Sequence, residues 1–364
     1  MNLNDSKGKS ISEQTTENGP KALQRIRRSV GLAVVALVAV GLLWTWWAET
    51  HPRAERRLRE VVHDRLSEWF PHQMAPDEGW HGLHQQLKGS GERGGFRVLL
   101  IYGLDEPGTI WKDLLPALAS TGYEVWELRY PNDQGIERSA DYLASLWTEL
   151  PEGAPVVLIG HSTGGLVARD FVSRLRHPVG RETPLAGAEV GGVIQVGSPN
   201  LGSEWARLRA WLELRDQFPT AQGRRFSLFS ALRDGVGEAK LDLRPGSDFL
   251  RDLNARPWPA GVPIVAIAGL LLTPPKELAA GLDAVAAEVA SPDLRAKLEA
   301  WWSGLDAGLG DGVVPLDSAR LPGGPPPIVV NATHRGMLAH LLASDPEPPA
   351  IAPILAILAE WSER

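Results

Sequence analysis

Ser162 is the residue around which chemistry can be assembled in this chain. It stands in Gly160-His161-Ser162-Thr163-Gly164-Gly165, between the apolar run Pro155 to Ile159 and a stretch with Leu166, Val167, Phe171, Val172 and Leu175 at helical spacing. A strand pattern ahead and a helix pattern behind confine the serine to a sharp turn. Side chains two residues either side of it would collide with their neighbours there, so glycine is needed at those positions. At the tip the hydroxyl is exposed above the positive end of the helix dipole. A serine hydroxyl is a poor nucleophile until a base takes its proton, and the base must itself be oriented by an acid. Attack on a carbonyl also puts negative charge on its oxygen, which two backbone N–H groups should meet. The chemistry in view is acyl transfer.

The elements that must position these groups follow from periodicity. From Phe96 onward strands alternate with helices, which predicts a doubly wound, mostly parallel α/β sheet. Strands are expected over 96–102, 123–128, 155–159, 191–196, 262–268 and 327–331, and helices over 111–119, 136–150, from 163 onward and over 335–342. In such sheets ligands bind outside the carboxyl ends of the strands. Two insertions interrupt the alternation, at about 201–261 and 273–310. The first has apolar faces at Trp205, Leu208 and Leu212 and at Phe226, Phe229 and Leu232, and it fits a packed cap as well as a mobile lid.

Composition excludes several classes. A net charge of −7 and a pI near 5.8 argue against a nucleic-acid binder, which would carry a basic stripe. With no cysteine there is no disulfide, thiolate metal site or cysteine nucleophile.

The N-terminus is of a different character. Residues 1–29 form a polar, basic tail that is expected to be disordered. Val30 to Ala48 holds nineteen residues of which only Thr45 is polar, with Trp44, Trp46 and Trp47 at one end. As a helix it is about 28 Å long, enough for the hydrocarbon core of a bilayer, and the tryptophans belong at an interface. The apolar run is too long for a cleaved signal peptide, and no small-x-small site follows it. A single transmembrane anchor over 30–48 is expected, with the larger part of the chain outside the cytoplasm. Residues 49–95 read as a juxtamembrane amphipathic helix, with Leu58, Val61, Val62, Leu66 and Trp69 on one face, and then a linker containing His81 and His84. Its arginines fit anionic headgroups or a solvated stalk. The catalytic domain is expected over 96–364.

Four stretches carry a family resemblance: YGLDEPGTIW, GHSTGG, GSPNLGSEWA and GDGVVP, with THRGML as a weaker fifth. Together they resemble the lipase group of the α/β-hydrolases, similar to bacterial triacylglycerol lipases and to lipase-like deacylases of the GPI-inositol type. Tyr102 and Asn200 stand where those lipases usually have histidines, at positions that are not normally catalytic. The resemblance implies the order serine, acid, histidine. It puts the acid at Asp311, between Gly310 and Gly312, rather than at Asp283, Asp293, Asp306 or Asp317. Of the nine histidines only His334 and His340 follow Asp311; THRGML puts the base at His334, on the loop just past the last strand, and leaves His340, inside the expected helix, a surface or packing role. The oxyanion donors it implies are the backbone N–H groups of Leu104 and Thr163. The implied activity is carboxylic ester hydrolysis on a lipid or acyl-ester substrate, with neither metal nor organic cofactor. An acyltransferase sharing the acyl-enzyme, and a catalytically silent binding protein on the same scaffold, are the alternatives.

Overall fold

The computed structural model describes residues 50–75, 77, 79–89, 95–104, 108–180, 185–204, 237–271, 308–340 and 347–363, with scattered positions between 36 and 48. In chain order these form α1 (Pro52–Trp69), β1 (Gly82–Leu87), β2 (Arg97–Ile101), α2 (Leu114–Ala119), β3 (Val125–Arg129), α3 (Ile136–Leu146), β4 (Val156–His161) and α4 (Thr163–Asp170). Then follow β5 (Val190–Val196), α5 (Glu238–Asp242), α6 (Asp248–Ala255), β6 (Ile264–Leu270), β7 (Ile328–Asn331) and α7 (Ile351–Ser362). The strands make one sheet in the order β1-β3-β2-β4-β5-β6-β7. All neighbours run parallel except β1, which pairs antiparallel with β3.

Every residue of β4 is buried, as an unbroken Val-Val-Leu-Ile run at the centre of a covered sheet requires. α4 packs back on β4 and β5, beside α3. The chain passes from β2 outward to β3 and then back to β4 on the other side of β2, so the winding direction reverses between β2 and β4. A crevice opens at the carboxyl ends of strands where winding reverses.

Four stretches differ from expectation. Residues 82–87, read as linker, pair with β3 as the edge strand β1, with Leu83 and Leu87 on the core and polar side chains between them. The helix expected over 335–342 is a series of turns through its described part. Thr333 Oγ1 takes the Gly336 N–H at 3.1 Å, and glycine is a poor helix former. The helix α7, not anticipated, buries Ile351, Ile354, Leu358 and Trp361 in the main core. Phe249, Leu250 and Leu253 of α6 also join that core, so this end of the first insertion belongs to the body of the domain. The two apolar faces expected over 205–236, and nearly all of the second insertion, lie outside the described residues.

So does most of 30–48. Among the described residues no helix is long and apolar enough to cross a membrane. By packing, the chain divides between Glu55 and Arg56, within α1. The part of α1 belonging to the larger unit turns its polar side to the body: Arg56 Nη1 lies 2.6 Å from Asp242 and Arg138 Nη2 lies 3.0 Å from Asp64. Leu58, Val61, Val62 and Trp69 are left exposed. Arg56 is therefore committed to a buried carboxylate, an arrangement that neither headgroup contact nor a solvated stalk anticipated.

Asp242 also accepts the Ile136 N–H at 2.9 Å, and its neighbour on α5, Glu238, accepts the Gly135 N–H at 2.9 Å. The two carboxylates cap α3, whose N-cap glycine has no side chain to do so. Burial pushes the Asp242 carboxyl up to about 7, against the pull of Arg56 and the Ile136 N–H and helped by Glu137 and Glu238. The folded chain thus holds a proton that the unfolded chain releases near the ordinary carboxylate value of about 4. Stability from this group is full below that value and is lost as pH rises toward 7. Asp242→Asn, which cannot titrate, should flatten the fall in denaturation midpoint between pH 4 and pH 7. Equal slopes in the two proteins would refute the assignment.

Candidate active site

Ser162 has φ 54° and ψ −124°, and among the described residues it is the only non-glycine with positive φ. Holding a serine there costs on the order of 1–3 kcal/mol, and the neighbours show what enforces it. A Cβ on Gly160 would run into the Gly165 backbone, and one on Gly164 into the Ile101 carbonyl oxygen. The Ser162 N–H is tied to Val196 O at the end of β5, 2.8 Å away. Thr163 is the first residue of α4, where no preceding turn exists to accept its N–H.

Asp311 follows β6 and is buried. The Leu271 N–H donates to Gly310 O at 2.8 Å, which closes the loop beside the strand. Three donors converge on the carboxylate. Val313 N–H and Val314 N–H reach Oδ1 at 2.9 and 2.7 Å, and His334 Nδ1 lies 2.7 Å from Oδ2. Asp311 and His334 are also joined through the backbone, His334 N–H to Asp311 O at 2.9 Å. With Nδ1 turned to the carboxylate, Nε2 is the ring nitrogen directed away from Asp311.

Glycines at strand ends make room for all three side chains. A Cβ on Gly103, just beyond β2, would stand 2.7 Å from Ser162 Cβ. One on Gly197, just beyond β5, would stand 3.2 Å from the His334 ring, and one on Gly269, near the end of β6, 2.7 Å from Asp311 Cβ. Ser162, His334 and Asp311 thus each press against the end of a strand on the same edge of the sheet. Leu104, half-buried, follows Gly103 directly.

The other candidates lie elsewhere. His340 Nδ1 is 3.1 Å from Asp113, whose carboxylate also takes the His340 N–H. Its slight burial raises the Asp113 carboxyl, but His340 and Lys112 together pull it below its ordinary value. Asp317 pairs with Arg320 on the surface, while Asp283, Asp293 and Asp306 fall outside the described residues.

Several supporting residues were not anticipated. The buried His161 sets Nε2 3.1 Å from the His334 carbonyl oxygen, and the two rings are 4.7 Å apart. Its place beside Ser162 in the motif was the available signal. Asn200 donates to Gln195 Oε1 at 2.9 Å and Ala319 O at 3.1 Å and accepts from the buried Arg169 at 2.8 Å, so it ties β5 to α4. Burial lowers that guanidinium to about 10. Tyr102 and Tyr130 clasp each other, and Asn132 Nδ2 donates to Gly103 O at 3.0 Å.

No protein-family model matches the sequence, and no curated protein matches it significantly. Solved structures do. The metagenomic carboxyl esterase MGS0156 is 18% identical over 84% of this chain and 91% of its own, with a TM-score of 0.50. The lipase of Staphylococcus hyicus is 12% identical over 76% of this chain and 97% of its own, TM-score 0.49. Mature lipase BlEst2 of Bacillus licheniformis is 15% identical over 78% of this chain and 99% of its own, TM-score 0.46. The similarity to the carboxyl esterase, together with the strand order, shows the fold to be that of the α/β-hydrolases.

Proposed function

We propose that this chain is a membrane-tethered serine hydrolase that cleaves carboxylic esters of lipid or acyl type. Ser162 Oγ attacks the ester carbonyl while His334 Nε2 takes its proton, and Asp311 holds the imidazole in the required tautomer and steadies its positive charge. The N–H groups of Leu104 and Thr163 meet the oxyanion. His334 then hands its proton to the departing alcohol, leaving an acyl-Ser162 ester. Water, deprotonated by the same imidazole, attacks this ester; the acyl–Oγ bond breaks, the imidazolium returns the proton to Ser162 Oγ, and the acid is freed.

The observation that carries the reading is the 2.7 Å bond from His334 Nδ1 to Asp311 on the same strand edge as a serine held at positive φ. A surface serine has no need of that backbone conformation, and its upkeep points to function. The test is hydrolysis of p-nitrophenyl esters of increasing acyl length, with Ser162→Ala as control. Turnover of no ester at any length would overturn the proposal.

The tether rests on the nineteen-residue apolar run 30–48 and its terminal tryptophans. Removing residues 1–48 should move the protein from the membrane to the soluble fraction with activity retained. Protease added from outside the cytoplasmic membrane should reach the catalytic domain of the intact chain. Membrane retention of the shortened chain would sink the tether, and protection from protease would reverse the orientation.

A further inference from the structure

Gly103 is where β2 has just ended and the chain leaves the sheet beside Ser162. The close approach to Ser162 Cβ requires glycine, yet glycine is the residue whose peptide turns over most readily. The peptide between Gly103 and Leu104 is the one that carries the Leu104 N–H. In a planar trans peptide the C=O and N–H point in opposite directions, so whatever holds the Gly103 oxygen also aims the Leu104 N–H. Asn132 holds that oxygen. Its Nδ2 lies 3.0 Å away, and the side chain is buried just beyond β3, the strand paired with β2.

We infer that Asn132 is a positioning residue, which fixes the Gly103–Leu104 peptide so that the Leu104 N–H faces the oxyanion formed at Ser162. The inference rests on the esterase reading above and adds to it a specific residue that acts through another.

The preceding peptide is held as well. Tyr130 Oη donates to the Tyr102 carbonyl at 2.7 Å. Tyr102 Oη accepts the Tyr130 N–H at 3.0 Å and donates to the Tyr130 carbonyl at 3.1 Å. The two buried rings stack 5.1 Å apart. Burial, then the neighbouring Tyr102, push the Tyr130 hydroxyl well above its ordinary range, so it stays a donor. Two successive carbonyls, of Tyr102 and Gly103, are therefore gripped by side chains from the end of β3. A loop that needed only tethering would be served by the tyrosine pair. The grip of Asn132 one residue further on falls on the peptide that bears the proposed oxyanion donor.

The experiment uses the full chain. Wild type, Asn132→Ala and the nearly isosteric Asn132→Asp are titrated to completion with a fluorophosphonate, so that kcat is expressed per competent serine. With the donor misaimed, kcat should fall about 10²-fold in Asn132→Ala while KM changes by no more than about threefold. Asn132→Asp, which sets an acceptor against the Gly103 oxygen, should fall at least as far. Affinity for a trifluoromethyl ketone, which forms the tetrahedral oxyanion on the enzyme, should drop by the same factor as kcat/KM. A purely structural role would lower the number of titratable sites and leave kcat per site unchanged. That result, in either variant that folds, overturns the inference while the esterase reading stands. A wild-type chain whose Ser162 is neither labelled nor able to turn over ester overturns both.

Discussion

Ser162→Ala should reduce ester turnover by on the order of 10⁴-fold or more, about 5 kcal/mol of transition-state stabilisation, and leave the protein folded. Alanine keeps the Cβ, so the elbow's main steric demands are unchanged: Gly160 and Gly164 still face the same backbone atoms, Gly103 still faces the Cβ of residue 162, and the backbone bond from residue 162 to Val196 survives. The turnover that remains would come from the binding site and the oxyanion donors, which alanine leaves in place. A companion variant separates strain from chemistry. Ser162→Gly should be equally inactive but more stable than Ser162→Ala by about 1 kcal/mol, because φ 54° is no burden to glycine. Retention of most of the rate in Ser162→Ala, measured on the ester that wild type hydrolyses fastest, would remove Ser162 from the nucleophile's role.

The elbow was legible in the sequence because its constraint is local. Gly160 and Gly164 are forced by atoms within a few residues of the turn or by β2 against it, and an apolar strand followed by a helical pattern displays the turn directly. The central strands were legible for a similar reason: buried on both faces, they read as continuous apolar runs. The edge was not. β1 is Gly-Leu-His-Gln-Gln-Leu, polar on its open side, and its strand character comes from pairing with β3, far along the chain, from Gly82 with Arg129 to Leu87 with Val125. α7 was missed because Ile-Ala-Pro-Ile-Leu-Ala-Ile-Leu is apolar on more than one face and carries a proline, so neither period stands out. In the site, the resemblance implied the order Ser162, Asp311, His334, and the structure sets His334 Nδ1 2.7 Å from Asp311, but nothing in the sequence signalled the clearances at Gly197 and Gly269 or the grip of Asn132. Each depends on which strand lies beside which, and that is fixed by the sheet order.

His334→Ala should abolish turnover to the same degree as Ser162→Ala, and the double variant should be no worse than either, since the two act as one unit. His340→Ala should cost at most a few-fold. The asymmetry follows from what each imidazole is bonded to. His334 Nδ1 meets Asp311 at 2.7 Å, its N–H is tied to the Asp311 carbonyl, and its own carbonyl is 3.1 Å from His161 Nε2, next door to Ser162. Every one of these contacts keeps the ring at the strand edge where the elbow emerges, and Gly197 is the residue that lets it lie there. His340 is engaged instead with Asp113 through both ring and backbone, and its carbonyl takes a bond from Lys112 Nζ at 2.7 Å. Its backbone bonds survive alanine, so the loss there is confined to one partly exposed ion pair of about 0–1 kcal/mol. The two variants are compared on the same ester at saturating concentration. If His340→Ala is the silent enzyme and His334→Ala the active one, the base has been misassigned, and the Asp311–His334 bond is a structural clasp between the loops that follow β6 and β7.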